Sequence, residues 1–146
     1  MNILDFKLLL AKSKFTPKEI LEVLAKDKSS WIRESVARNS NVSKEIIKIL
    51  VKDKDFYVRE SIAQNPNISK EFFEIFAKNK NWNVRASVAI NPKIPKEILE
   101  ILAKDKSHYV RASVAKNINV SKEILEFLAK DKDWRVCASA AKALKI

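Results

Sequence analysis

The chain contains no glycine, one cysteine and one histidine among its 146 residues. Without glycine it has no glycine-rich loop of the kind that holds a phosphate group. One cysteine cannot form an intramolecular disulfide or supply a cysteine-rich metal site. The histidine, His108, and the cysteine, Cys137, belong to no pattern typical of a catalytic or metal centre. We therefore expect a protein that is not an enzyme and that has no catalytic residues, no metal site and no cofactor.

Long apolar runs are also missing. Hydrophobic residues make up 47% of the chain and charged residues 32%, and no stretch approaches the roughly 20 apolar residues of a membrane-spanning helix. The N-terminal segment contains Asp5 and Lys7 and has no small-residue cleavage site, so we expect no signal peptide. This composition predicts a globular protein of the cytoplasm with no membrane partner.

Negative charge is the scarcer sign. The net charge is +11, and residues 75–146 carry 15 basic and 7 acidic residues, against 14 and 11 in residues 1–74. The second half of the chain therefore holds most of the positive excess. A basic surface favours an acidic partner, either an acidic protein or peptide or a nucleic acid.

The dominant feature of the sequence is a motif close to aromatic-x-Val-Arg-x-Ser that recurs every 26 residues. Its arginines are Arg33, Arg59, Arg85 and Arg111, and Cys137 stands in the same column. A fixed period in this range is typical of a stacked repeat array.

Each repeat is predicted to contain two helices. Helix A has the pattern Lys-Glu-apolar-apolar-x-apolar-apolar, which buries one wide face, and Pro or Ser precedes each copy. Helix B begins after a residue of a good capping type, and these residues are Ser29, Asp55, Asn81, Ser107 and Asp133. It ends at a recurring asparagine, at Asn39, Asn65, Asn91 and Asn117. Since glycine is absent, we expect these asparagines to adopt the left-handed conformation that closes many helices.

The predicted fold is all-α, a right-handed α-solenoid of about five two-helix repeats that forms a single domain over residues 1–146. Residues 3–12 read as a lone helix B, so residues 1–14 are predicted to cap the N-terminal end. The repeats cover about residues 15–40, 41–66, 67–92, 93–118 and 119–146.

The linkers and second helices resemble known families. Residues 53–59, Asp-Lys-Asp-Phe-Tyr-Val-Arg, resemble the second helix of HEAT-type repeats, as do residues 131–144. The linkers at residues 65–69 and 91–95, which precede Lys-Glu-apolar-apolar, are similar to those of the leucine-rich repeat variant family. The resemblance implies a binding scaffold and an Asp/Arg ladder between repeats. The cysteine-ligated iron–sulfur cluster of that family's founding type is not implied, since this chain lacks the cysteines.

The arginine column can be read in two ways. Helical spacing turns the arginines towards the packed side, where an acidic column at the end of helix A can accept their hydrogen bonds. We predict a structural ladder of Arg33, Arg59, Arg85 and Arg111 with Asp27, Asp53, Asp105 and Asp131. The alternative is that the arginines bind phosphate or carboxylate groups.

The outward columns of helix B vary from repeat to repeat and combine aromatic with basic residues. Such a surface suits recognition of a peptide or of nucleic acid bases. The predicted partner-binding residues are Trp31, Tyr57, Tyr109, Arg135, Arg38, Lys116 and Lys142. The alternative is that the aromatic residues only cover the seams between repeats.

Two functional hypotheses follow. The first is a scaffold without enzymatic activity that binds a protein or peptide, expected to be acidic, through the exposed helix B layer. The second is binding of a nucleic acid backbone by the basic C-terminal half and by a ridge of turn lysines, although such a ridge also suits a solvated edge. The chain is expected to be a monomer or a weak homodimer that pairs through its alanine-rich last helix, residues 136–146.

Overall fold

The computed structural model of the protein describes residues 2–146, and this part of the chain contains eleven α-helices and no strand. Helices of type A are α2 (Lys18–Leu24), α4 (Lys44–Leu50), α6 (Lys70–Ala77), α8 (Lys96–Leu102) and α10 (Lys122–Leu128). Helices of type B are α1 (Ile3–Lys12), α3 (Ser30–Ala37), α5 (Phe56–Ala63), α7 (Trp82–Ala89), α9 (His108–Ala115) and α11 (Trp134–Leu144). The predicted all-α fold of two-helix repeats is confirmed.

The chain divides within α6 into an N-terminal unit, which ends at Phe72, and a C-terminal unit, which begins at Phe73. In the N-terminal unit α3 packs between α1 and α5, and α2 and α4 cover this layer. In the C-terminal unit α9 packs between α7 and α11, and α8 and α10 lie against it. Each unit is thus a stack of helix pairs in the manner of an α-solenoid. The single domain over residues 1–146 stays a prediction.

The capping residues start helix B as expected in three repeats. The side chains of Asp55, Asn81 and Asp133 accept hydrogen bonds from the backbone N–H two residues further on. Ser29 and Ser107 precede α3 and α9 without making such a bond. A side-chain acceptor at this place satisfies one of the N–H groups that have no partner within the helix.

The core lies between the two helix layers of each unit. In the N-terminal unit Leu21, Ile46 and Ile62 are fully buried, and in the C-terminal unit Leu99 and Leu128 are. Burial of one such side chain contributes about 1.5–3 kcal/mol. These residues come from the apolar faces of helices A and B, so each helix buries its apolar face against its neighbours.

Buried arginine–aspartate pairs join one repeat to the next. Arg33 donates from Nε to Asp53 Oδ2 at 2.6 Å and from Nη2 to Asp53 Oδ1 at 2.9 Å, and its Nη1 donates to the main-chain carbonyl of Asp27 at 2.8 Å. Arg33 therefore holds the turn of its own repeat and the aspartate of the following one. The same bidentate bonds, with Nε distances of 2.6 Å, join Arg85 to Asp105 and Arg111 to Asp131.

The ladder changes at three places. At its N-terminal end Lys7 takes the arginine position and donates to Asp27 at 2.6 Å. Arg59 donates from Nη1 to the carbonyls of Asp53 and Lys54, but its buried Nε has no hydrogen-bond partner within residues 2–146. At the C-terminal end Cys137 replaces the arginine, and its Sγ donates to the Asp131 carbonyl.

Removing the arginine of a pair should destabilise the protein, because its aspartate is then buried without a partner. We expect Arg85→Met to lower the free energy of unfolding by about 3–5 kcal/mol, because it leaves the Asp105 carboxylate buried without its partner. Lys104→Met, at an exposed lysine, is the matched control and should change it by no more than about 0.5 kcal/mol. Denaturant unfolding measures both, and equal losses would contradict a buried structural pair.

Acid should weaken the ladder. The hydrogen bond from Arg111 holds the pKa of the Asp131 carboxyl below its usual value, although burial opposes this effect. A carboxyl with a depressed folded-state pKa stabilises the fold above its unfolded pKa of about 3.9, and this contribution is lost as the pH falls through the folded pKa. We expect the free energy of unfolding to fall between pH 6 and pH 3, and to fall less in Asp131→Asn. Denaturant titrations at both pH values test this, and an equal fall in the two proteins would argue against it.

The recurring asparagines are not in the left-handed conformation, so that expectation was wrong. In residues 2–146 the only residue with positive φ is Lys145, at 61°. The buried Asn117 instead donates from Nδ2 to the carbonyls of Ala89 at 2.7 Å and Asn91 at 3.1 Å. Asn65 makes the same two bonds to Ala37 and Asn39. We call this arrangement the asparagine clamp; it ties the end of one helix B to the end of the preceding one.

The clamp can be tested in the C-terminal unit. We expect Asn117→Ala to lower the free energy of unfolding by about 1–3 kcal/mol, because two main-chain carbonyls lose a buried donor. Asn83→Ala, at a half-buried position near the start of α7, serves as the control and should have a much smaller effect. Chemical denaturation compares them, and a loss at position 117 no larger than at position 83 would refute the clamp.

Candidate functional site

A groove of about 930 Å³ lies in the C-terminal unit, between α9, the loop that follows it and α11, with Leu125 of α10 also in its lining. Three rings line it: His108, Tyr109 and Trp134. Three basic residues line it as well: Lys116, Arg135 and Lys142. Of the residues that the structure places around it, none is acidic. The groove thus combines ring faces with positive charge, a pairing that suits an anionic ligand with an apolar part.

The sequence of the last repeats explains why this groove exists. The third residue after the aromatic column is Glu34 or Glu60 in the N-terminal unit, but Ala112 and Ala138 line the groove. Replacing glutamate by alanine removes both bulk and negative charge. In addition, α11 has 11 residues where α9 has 8, so its last turn, with Lys142 and Ala143, forms part of the lining.

Arg135 is held in place by its neighbours. It donates to Asp133 from Nε at 2.9 Å and from Nη2 at 2.7 Å, and its guanidinium carbon lies 5.6 Å from the centre of the Tyr109 ring. The hydrogen bond from Arg135 holds the pKa of the Asp133 carboxyl well below its usual value. Asp133 also lies 3.6 Å from Nδ1 of His108. Much of the charge of Arg135 is therefore balanced inside the protein.

The two lysines supply the uncompensated charge of the groove. Lys116 follows α9 and Lys142 lies in the last turn of α11, and both are exposed. Within the described chain neither lysine takes part in an ion pair. Long, mobile lysines at the edge of a groove attract an anionic ligand and add modest affinity at the contact.

The aromatic residues of the groove lie at the first two positions of helix B. The rings of Trp82 and Tyr109 stack with centres 4.4 Å apart, and Tyr109 also lies 4.1 Å from His108. Trp134 occupies the same position in its helix as Trp82, but it is 74% exposed whereas Trp82 is 39% exposed. Trp134 therefore presents a ring face that is available to a ligand.

Trp134 and His108 line the groove but are not among the partner-binding residues predicted from the sequence. Both stand in the column that immediately precedes the predicted aromatic one, together with Phe56 and Trp82. An aromatic residue in the same column of four successive repeats was a usable signal.

The predicted partner-binding residues fall into two groups. Four of them line the groove: Tyr109, Lys116, Arg135 and Lys142. The other three, Trp31, Arg38 and Tyr57, belong to the N-terminal unit. Trp31 is 67% exposed and Tyr57 is 56% exposed. Arg38 bonds to Glu34 at 2.6 Å and to the Ser61 hydroxyl at 3.1 Å.

Two other kinds of site are absent from residues 2–146. Among residues 2–146, no cluster of three or more His, Cys, Asp or Glu side chains is arranged to hold a metal ion. Over the same residues, no helix is both long and apolar enough to cross a bilayer.

Comparison with known proteins finds similar structures. No protein-family model and no curated protein matches the sequence. A leucine-rich repeat variant with a novel repetitive structural motif is 24% identical over 90% of this chain, with a TM-score of 0.45, and the chain spans 66% of that protein's length. An engineered protein is 16% identical, with 97% of this chain and 88% of that chain covered and a TM-score of 0.48. The chain is thus similar to a leucine-rich repeat variant, the kind of protein that its linkers resemble.

Proposed function

We propose that this protein is a non-enzymatic scaffold of the cytoplasm that binds an acidic segment of a partner protein in the groove between α9 and α11. The observation that carries the proposal is the lining of the groove, where three rings and three basic residues meet and no acidic residue takes part. A carboxylate-bearing peptide complements such a surface in charge.

The rings supply the apolar part of the contact. Large, rigid aromatic side chains dominate the binding energy of many protein interfaces, because they bury much area and lose little conformational entropy. Trp134 is the most exposed ring of the groove, and Tyr109 is braced by Trp82 and Arg135. A peptide with acidic residues beside an apolar or aromatic one would use both kinds of group.

A second candidate is a single-stranded nucleic acid. The exposed ring of Trp134 next to unpaired lysines favours it, because bases stack on aromatic side chains and phosphates attract cations. The groove is short, however: its lining comes from α9, α10, α11 and the loop between α9 and α10. That extent suits a few residues of a peptide better than a long strand that is held mainly through its phosphates.

The test compares a fluorescent peptide rich in Asp and Glu, with one central Phe, and a fluorescent oligothymidine. We expect the peptide to bind more tightly, with an affinity that falls as salt rises. Trp134→Ser should weaken peptide binding roughly thirtyfold, the loss typical of an interface hot spot. Replacing Lys116 and Lys142 together by serine should weaken it roughly tenfold.

A matched control is available in the same unit. Lys132 and Lys145 are exposed and do not line the groove, so replacing both by serine changes the net charge equally. We expect this variant to lose less than threefold in affinity. Equal losses in the two double variants would show that only net charge matters and would overturn the groove as the site. Tighter binding of the oligothymidine would favour the second candidate.

A further inference from the structure

Helix α1 exposes an apolar stripe on the face that the other helices of type B bury. Phe6 begins a column of six residues, which continues with Ile32, Val58, Val84, Val110 and Val136. Those five are fully buried, whereas Phe6 is 48% exposed. Leu9, one turn further along α1, is 59% exposed, and Ile3, one turn before Phe6, is 77% exposed. Three large apolar side chains thus form a continuous stripe on the surface of α1.

The position of α1 in the stack explains why the stripe is open. In the N-terminal unit α3 has a helix of type B on either side, α1 and α5. The main contacts of α1 within residues 2–146 are with α3 and α2, and both lie on one side of it. The stripe is therefore the face with which a helix B meets the repeat before it, and the described chain leaves this face uncovered.

Two opposite charges border the stripe. Asp5 and Lys12 are seven residues apart, which is about two turns, so they lie on the same side of α1. At about 100° per residue both lie within about 60° of Leu9. Both side chains are exposed, and within the described chain neither forms an ion pair. Asp5 Oδ2 accepts a hydrogen bond from the Asn2 N–H at 3.4 Å, which leaves Oδ1 for a second donor.

We infer that α1 pairs with α1 of a second copy of this chain, antiparallel and about a two-fold axis, with the two apolar stripes in contact. This pairing puts the beginning of each helix beside the end of the other. Asp5 then faces Lys12 of the second copy, and Lys12 faces its Asp5. The two helix dipoles lie side by side in opposite directions, which is also favourable.

The charges favour a second copy over an unrelated partner. In a two-fold contact the same patch serves both molecules and has to complement itself. A border with one acid and one base, at opposite ends of the same side, does so when the helices run antiparallel. A partner surface of one charge sign would leave either Asp5 or Lys12 against a like charge.

The exposed area fits a weak dimer. Ile3, Phe6 and Leu9 together expose an apolar surface on the order of 400 Å² per copy, which is a large patch for a monomer. With the flanking residues, pairing buries on the order of 1,000 Å² in total, the low end for a specific interface. We therefore expect a dissociation constant on the order of 100 µM.

The choice of α1 departs from the sequence-based expectation that the chain pairs through its last helix. In α11 Ala140 is buried, and Ala138 and Ala143 line the groove. The exposed part of that helix belongs to the proposed ligand site, so pairing through α1 leaves the groove of each copy's C-terminal unit in place. The inference does not depend on what the groove binds.

The first arm of the test measures the dimer of the whole chain by sedimentation velocity, at concentrations from roughly a tenth to ten times the expected dissociation constant. The column of Leu9 holds Ser35, Ser61, Ser87, Ser113 and Ser139 in the later repeats. Leu9→Ser is therefore expected to fold, and it should weaken dimerisation at least about tenfold. Val23→Ser is the matched control, at an exposed apolar residue of α2, and should change it less than about twofold.

The second arm tests the charges and the direction of the pairing. Asp5→Lys sets lysine against Lys12 of the second copy, and Lys12→Glu sets glutamate against its Asp5. Each variant alone should dimerise at least about tenfold more weakly than the unmodified protein. An equimolar mixture of the two should recover dimers to within about threefold, because every charge then faces its opposite. A variant that had merely lost helix stability would not be rescued by mixing.

Three results would overturn the inference. One is a chain that stays monomeric over the whole concentration range. Another is a mixture of the two charge variants that recovers no dimers. The third is a dimer that survives Leu9→Ser but is lost in Ala143→Lys, since that result would place the contact on α11.

Discussion

The bidentate bond between an arginine of one helix B and an aspartate of the next repeat sets the register on which the rest of each unit depends. Its 20-residue spacing recurs in Arg33–Asp53, Arg85–Asp105 and Arg111–Asp131. Hydrophobic faces alone would allow neighbouring repeats to slide, since apolar contacts have little direction. A planar guanidinium has fixed donor directions, so it accepts one alignment. The cost of desolvating the two charges offsets much of the energy of such a pair. The pair therefore contributes more to the register of the repeats than to net stability.

The asparagine clamp works at the other end of helix B. The ladder joins the beginning of helix B to the following turn, while Asn65 and Asn117 join its end to the end of the preceding helix. The ladder satisfies main-chain carbonyls in the turn after helix A, and the clamp satisfies carbonyls at the end of helix B. The ends of α3 and α7 are thus closed by long-range hydrogen bonds, whereas α11 ends at the left-handed Lys145.

The candidate site arises where these repeating devices stop. Ala138 stands where the N-terminal unit has a glutamate, and Ala143 stands in the sequence column of the clamp asparagines. Each change removes a polar side chain that serves packing elsewhere. The result is a groove in the C-terminal unit with ring faces and unpaired lysines on its surface. In the regular repeats these polar side chains bond to a neighbouring repeat. Where the pattern is broken, the surface is left open to a ligand.

The sequence by itself determined the period, the all-α fold and the two helices of each repeat, because these follow from helical spacing and from local capping chemistry. It also marked Tyr109, Lys116, Arg135 and Lys142 as variable, outward-facing positions. It did not reveal the role of the asparagines, since their bonds reach carbonyls 26 and 28 residues away and no local pattern encodes the partner. Only the tertiary structure brought the end of α9 against α11. The groove depends on which side chains of these two helices face each other, and the order of residues along the chain does not specify this.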